Sequence, residues 1–314
     1  MTRGYDYSDF ADFLEHARSS QREKPAPREY PEERNPSRGA GGSSSSEGHR
    51  ELPKSPDGRD LAERTRRAYR DRDRTYSLRN SELQTLTEVG KFRVVDVSDL
   101  AKFAYAGDRA WMETDIRNLE RQGLAQQHRT SPLKDESRQV VTLTNRGRRF
   151  LRRHDFVRKD QALYHGIVKL KEAKHDADLY RLYQKAANEI ECKGGKVSRV
   201  VLDYEFKQQL YRKLGKAQAA NDPDLETRKA QFARELQLPV VEGKVVLPDM
   251  RIEYETQEDG LARVDLELAS GHYHASHLAE KARAGFRIYA RPEDAARLRR
   301  VRDEREITTA ILSL

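Results

Sequence analysis

Between residues 80 and 155 the apolar positions recur at helical spacing. In SELQTLTEVG, Leu83, Leu86 and Val89 share one face, which predicts a first helix extending into KFRVV. Ser98 stands where a cap would start a short second helix, SDLAKFAY, with Leu100 and Phe103 turned inward. After the turn AGD, Asp108 is expected to cap a third helix, RAWMETDIRNLERQ, closed by Gly123. Its Met112, Ile116 and Leu119 recur at i, i+4 and i+7 and should face a core. Two strand-like runs, LAQQHRT and RQVVTLT, then flank the polar SPLKDES, and an arginine-dense helix, RGRRFLRRH, follows.

Past a connector near residues 156–173 the period alternates between helix and strand. HDADLYRLYQKAANEIE reads as a helix and VSRVVLDYEF as a strand. Residues 206–238 are charged and mainly helical, broken by NDPD at 221–224, and look like an insertion on the outside of a domain. Strand patterns return at GKVVLPDMRIEYE and LARVDLELA around the turn EDG. A helix over 275–283, the strand GFRIYA, the helix PEDAARLRRVRDE and a final strand in EITTAILSL complete the series. The order α, β, β, β, α, β, α, β predicts an α+β fold with a mixed central sheet and helices on its faces.

The first 75 residues differ. Six of the 11 prolines and the tract AGGSSSSEG fall there, so the segment has too little apolar surface to offset its ordering entropy and is expected to be a disordered tail. A short amphipathic helix around Phe10, Phe13 and Leu14 could interrupt it, and the Arg- and Asp-rich run at 59–79 reads as a solvated helix or linker. The expected organisation is a tail and linker at 1–75, one domain at 80–155 and a second at 160–314. A net charge of +8 favours a polyanionic partner. The single Cys192 excludes an intramolecular disulfide framework and points to a reducing compartment. No apolar run approaches the length of a membrane span and the start lacks the apolar core of a signal peptide, so a cytoplasmic protein is expected, with no membrane partner.

The apolar stripe on the third predicted helix leaves Arg109, Thr114, Arg117, Asn118 and Arg121 on the other side, residue types that contact base edges and phosphates. The hairpin adds His128, Arg129 and Lys134, and the next helix adds Arg146, Arg148, Arg149, Arg152 and Arg153. Trp111 reads as packing at the helix edge. The bland alternative is a solvated basic face. In order and spacing, residues 80–155 resemble a winged helix-turn-helix of the MarR-like kind. That resemblance implies double-stranded DNA as partner, read by the third helix, and it leaves a homodimer on two half-sites open.

In LARVDLELA the strand period projects Asp265 and Glu267 to one side, and Asp249 of the neighbouring segment could converge on them. Three carboxylates holding one hard cation, Mg²⁺ or Mn²⁺, would explain acids in a strand; the solvent face of an edge strand would also explain them. His272, His274 and His277 read as a turn-plus-helix surface, and Tyr289 as core. The half resembles the restriction-endonuclease-like, PD-(D/E)xK nuclease fold, with Pro248-Asp249 matching the PD; Glu267 or Ala269 stands where that motif has its lysine.

From Ser81 onward the chain resembles more specifically the replication-relaxation family of plasmids and mobile elements. The matching residues are His175-Asp176, Pro248-Asp249, Asp265 with Glu267, and Lys281 in HLAEKARAGF. The resemblance implies a DNA-binding protein of replication or mobilisation, with other proteins of those processes as partners. It also implies Lys281 as a lysine that has moved to a helix beside Asp249, Asp265 and Glu267. Two readings stay side by side: recognition of DNA with the second domain as a scaffold, or an active metal-dependent nuclease or nickase. His175 by itself is more in keeping with starting or packing a helix than with acting as a base.

Overall fold

The computed structural model describes residues 65–130, 138–167, 172–219, 224–271, 273–304 and 309–314. The expectations for residues 1–64, Lys134 and His272 lie outside them.

Where a linker was expected, the described chain opens on a hairpin of Arg67–Asp71 (β1) and Arg74–Leu78 (β2). Arg72 takes a φ of 57° in its two-residue turn, as such hairpins require. Tyr76 and Leu78 are buried, and Tyr69 and Tyr76 meet Phe150 edge-on at 6.0 and 5.2 Å. The boundary of the tail expected at residue 75 therefore cuts through a folded element. Its arginines mask the alternation, and the rings that bury it come from about 80 residues downstream.

Asn80–Lys91 (α1) buries Leu83, Leu86 and Val89. The helix ends at Lys91, so FRVV leaves it, and Val95–Asp96 (β3) joins a sheet instead. Asp96, rather than Ser98, caps Val97–Ala104 (α2) by accepting the Ser98 N–H at 2.8 Å, because a carboxylate there meets both the free N–H groups and the positive end of the helix. Asp108 caps Arg109–Arg121 (α3) through the Trp111 N–H at 2.9 Å, and Met112, Ile116 and Leu119 are buried, as their spacing requires. Gly123 follows with a φ of 68°. Ala125–Arg129 (β4) and Gln139–Leu143 (β5) complete the sheet β3-β5-β4, and Thr144 caps Asn145–Arg153 (α4).

The second half contains Ala173–Cys192 (α5), Lys196–Leu202 (β6), Asp203–Ala219 (α6) and Leu225–Glu235 (α7). The short hairpin of Val240–Val241 (β7) and Lys244–Val245 (β8) leads to Met250–Glu255 (β9) and Leu261–Ala269 (β10). Ala275–Arg283 (α8), Arg287–Ala290 (β11), Pro292–Glu304 (α9) and Ile311–Ser313 (β12) end it. Two expected strands are cut short. DYEF turns helical at Asp203, and the segment before β9 breaks at Leu247-Pro248, since proline has no N–H for a ladder.

The large sheet runs β12-β11-β10-β9-β6, antiparallel across β6, β9 and β10 and parallel across β10, β11 and β12, so the fold is mixed α and β around a mixed sheet. One apolar core passes from the hairpin through α1–α4 into α5 and the sheet, with Phe92 lying 5.2 Å from both Tyr180 and Tyr183 of α5. Among the described residues no helix is long and apolar enough to cross a membrane.

Candidate functional site

Two charged regions stand out, built in opposite ways. The first is the outer side of α3. With Met112, Ile116 and Leu119 inward, Thr114, Arg117 and Arg121 are exposed, and so is Arg129 on β4. Arg117 Nε donates only back to the Glu113 carbonyl, and Arg121 reaches the Asn118 amide oxygen at 3.4 Å; no carboxylate faces either among the described residues. Two members of the expected set are engaged elsewhere. Arg109 pairs with Glu113 at 2.8 Å, and the Asn118 amide donates to Glu82 at 2.9 Å and to the Ser77 carbonyl, which ties it to α1 and the hairpin. Trp111 packs edge-on against Tyr105, as expected of a helix edge. Arg148 and Arg149 lie apart, on α4, where they line a cleft with Arg152 and Arg153.

The second region lies at the Asp249 end of β9. The antiparallel register of β9 and β10 pairs residues whose numbers sum to 516, such as Met250 with Leu266, so the next step sets Asp249 beside Glu267. Asp249 N–H donates to Glu267 Oε2 at 3.3 Å, and Leu268 N–H donates to Asp249 Oδ2 at 2.8 Å. Lys281 reaches in from α8, its Nζ 2.8 Å from Glu267 Oε1 and 2.6 Å from the Leu247 carbonyl oxygen. Tyr273 OH also donates to Glu267. From the first turn of α5, His175 Nε2 lies 3.7 Å from Asp249 Oδ1 with 40 % of its side chain exposed, so the group has one face toward solvent. Asp176 beside it faces Arg93 at 3.5 Å.

Burial and the Asp249 charge push the Glu267 carboxyl up to about 7 against the opposing pull of Lys281. Burial also pushes Asp249 upward, but the His175 imidazole, Lys281 and the Leu268 N–H outweigh it and hold Asp249 below its ordinary value. Burial would lower His175, yet Asp249 carries it up to about 9, so the imidazole is cationic at neutral pH. Asp176 is lifted by burial to about 6.

Asp265 does not join this group. Across the same register it faces Arg251, which grips it through Nε at 2.6 Å and Nη2 at 2.8 Å. Arg251 is fixed in turn by the carbonyls of Leu236 and Gln237 and by the Phe206 ring. The expected three-carboxylate set is thus a pair, Asp249 and Glu267. Nor does the solvent-face alternative describe Glu267, which is fully buried on a strand flanked by β9 and β11. Among the described residues no group of three or more His, Cys, Asp or Glu is arranged to hold a metal. Two adjoining carboxylates, Glu267 buried and Asp249 half-buried, one with its affinity for protons raised by the other, still suit Mg²⁺ or Mn²⁺, which take one or two carboxylates and complete their shell with water and phosphate. Tyr289 is buried as expected, and His274 and His277 face each other with ring centroids 6.0 Å apart.

Sequence reasoning missed Arg251, Tyr273 and Asp178. Counting outward from Glu258, the first residue of the EDG turn, would have found Arg251 opposite Asp265. Asp178, fully buried on α5, receives Arg138 of the β5 approach at 2.7 Å and Arg291 after β11 at 2.6 Å, with Arg181 at 4.0 Å. Little local signal marks it, because the two arginines that hydrogen-bond it lie 40 and 113 residues away. No protein-family model and no curated protein matches this sequence.

Proposed function

We propose that this is a cytoplasmic DNA-binding protein of a plasmid or mobile element, of the replication-relaxation type, in which residues 80–155 act as a winged helix-turn-helix on double-stranded DNA. The observation that carries the reading is the α3 face: an apolar stripe holds the helix in the core and leaves Arg117 and Arg121 outward, with no carboxylate among the described residues to neutralise them. Guanidinium groups that face no carboxylate among the described residues, on a helix that follows a short helix and a turn, fit phosphates and guanine edges in a major groove. Thr114 shares that face, and Arg129 on the wing is placed for an adjoining phosphate. The exposed thiol of Cys192 is in keeping with a reducing compartment.

A second reading, a nuclease or nickase of the PD-(D/E)xK kind, draws on the convergence of Asp249, Glu267 and Lys281. In it Asp249 and Glu267 would hold Mg²⁺ or Mn²⁺, which would polarise a phosphate and lower the pKa of bound water. Lys281, beside Glu267, would offset charge gathering on the phosphate, and cationic His175 would orient Asp249.

Gel-shift titrations across a range of KCl concentrations test the first reading. The parent is expected to retard duplex DNA with a steep salt dependence, and Arg117→Ala/Arg121→Ala to lower the slope by about two. Equal affinity and slope in parent and variant would remove α3 as the reading helix. Incubation of supercoiled plasmid with Mg²⁺ or Mn²⁺ tests the second, since nicking that Asp249→Ala/Glu267→Ala loses is what a nuclease requires.

A further inference from the structure

The α4 helix devotes only three positions to the core. Phe150 and Leu151 are fully buried, and Gly147 lies so close to β4 that a Cβ would come within 2.1 Å of the Leu124 carbonyl oxygen. Arg148 and Arg152, and Arg149 and Arg153, are each one helical turn apart, so four guanidinium groups form two neighbouring rows. Such like-charge pairs one turn apart weaken a helix. They line a concavity of about 430 Å³ together with Leu163.

Three of the four, Arg148, Arg149 and Arg152, meet no carboxylate among the described residues. Arg152 donates to the carbonyls of Arg158, Lys159 and Gln161, which fixes its side chain and leaves its charge in place. Arg148 rests on the neutral Asn145 amide at 3.2 Å, and Arg153 pairs with Asp71. Arg149 is exposed. Elsewhere in this protein, half-buried or buried arginines meet carboxylates: Arg79 with Asp115, Arg181 with Asp99, Arg251 with Asp265 and Arg291 with Asp178. Partial burial and the charges of Arg152 and Arg149 lower the pKa of Arg148, the strain expected where cations are gathered without a counter-charge. A solvated basic face would neither bury Arg148 nor anchor Arg152.

We propose that this cleft binds phosphate groups, and specifically backbone phosphates of duplex DNA, as an anchor separate from the α3 face. The clause about DNA rests on the DNA-binding reading above; the phosphate chemistry does not. Guanidinium forks match phosphate oxygens in pairs, and the cleft is wider than one phosphate needs. Contacts of this kind add affinity without reading sequence.

The test uses the full chain, its Arg148→Gln/Arg149→Gln variant and the Arg117→Ala/Arg121→Ala variant, each shown by circular dichroism and melting to be folded. A short random-sequence duplex and inorganic tripolyphosphate are the probes. Loss of Arg148 and Arg149 is expected to lower the salt slope for any duplex by about two, at 0.9 per phosphate contact, and to abolish calorimetric binding of tripolyphosphate. If the α4 variant alone loses duplex binding while the α3 variant keeps it, the cleft stands and α3 fails as the reading helix. If tripolyphosphate binding is lost but duplex binding is unchanged, free polyphosphate is the ligand and the backbone assignment is overturned. Unchanged binding of both probes overturns the phosphate site itself.

Discussion

The α3 face and the Asp249–Glu267 group place charge in opposite settings. On α3, Arg117 and Arg121 are exposed and have no carboxylate partner among the described residues, so their charge faces outward toward whatever approaches. Around Asp249, every charge already has an answer within the protein: His175 for Asp249, Lys281 for Glu267, Arg251 for Asp265 and Arg93 for Asp176. Exposed charge costs little to keep and can be exchanged for a ligand, whereas buried charge must be paired before folding can proceed. The contrast teaches that substitutions on α3 should alter binding and spare stability, while those among the buried groups should do the reverse unless they also serve a ligand.

The largest expected effect is at Asp178. Asp178→Ala would leave Arg138 and Arg291 facing each other without their shared carboxylate, and should cost about 3–5 kcal/mol in urea unfolding. Arg117→Ala/Arg121→Ala should stay within about 0.5 kcal/mol in the same measurement. A mild Asp178 variant would break the comparison at its strongest point.

Next comes Leu78→Ala, which should cost about 2–4 kcal/mol because Leu78 is fully buried in the hairpin. Unfolding curves that match the parent would return Arg67–Leu78 to the linker that its composition suggests.

Lys281→Met sharpens the buried half. Glu267 titrates near 7 with Lys281 present, above its ordinary value, so its ionisation works against the fold as pH rises from about 4.5 through 7. Without Lys281 the carboxyl should rise further, and the variant should lose about 1 kcal/mol more at pH 8 than at pH 5, the worth of roughly one pKa unit. An equal loss at both pH values would show that the ammonium is not what compensates Glu267.

The smallest effect is spectroscopic. The His175 imidazole should titrate near 9 by NMR, and in Asp249→Asn it should fall, since burial is then opposed only by the weaker pull of Asp176 and Asp203. The stability that this pair contributes is full below about 6.5 and is lost as pH rises through 9. A His175 titration indifferent to Asp249 would separate the two residues.

Much of the helical module was legible. Residues at i, i+4 and i+7 on α3 must share a face whatever packs against it, and Asp108 can satisfy free N–H groups that lie within its own turn. The carboxylate pair was legible as far as Asp249 and Glu267 could be folded across the EDG turn. Asp265 was misplaced because alternation gives the face of a strand but not the residue opposite, and Arg251 is opposite. The β1–β2 hairpin escaped notice for a related reason: Tyr69 and Tyr76 look isolated among arginines until Phe150 comes back to cover them.

The sequence by itself therefore determined which positions face inward on α1 and α3, where several helices begin and end, and that an excess of arginine would be left over. These follow from forces acting over a few residues: backbone geometry, capping and the period of apolar side chains. Only the tertiary structure decided which charges are neutralised. Asp178 takes Arg138 and Arg291 from 40 and 113 residues away, Lys281 reaches Glu267 from a different element, and of the four arginines lining the α4 cleft only Arg153 meets a carboxylate among the described residues. Coulombic pairing depends on distance in space, and distance in space between remote segments is set when the core closes.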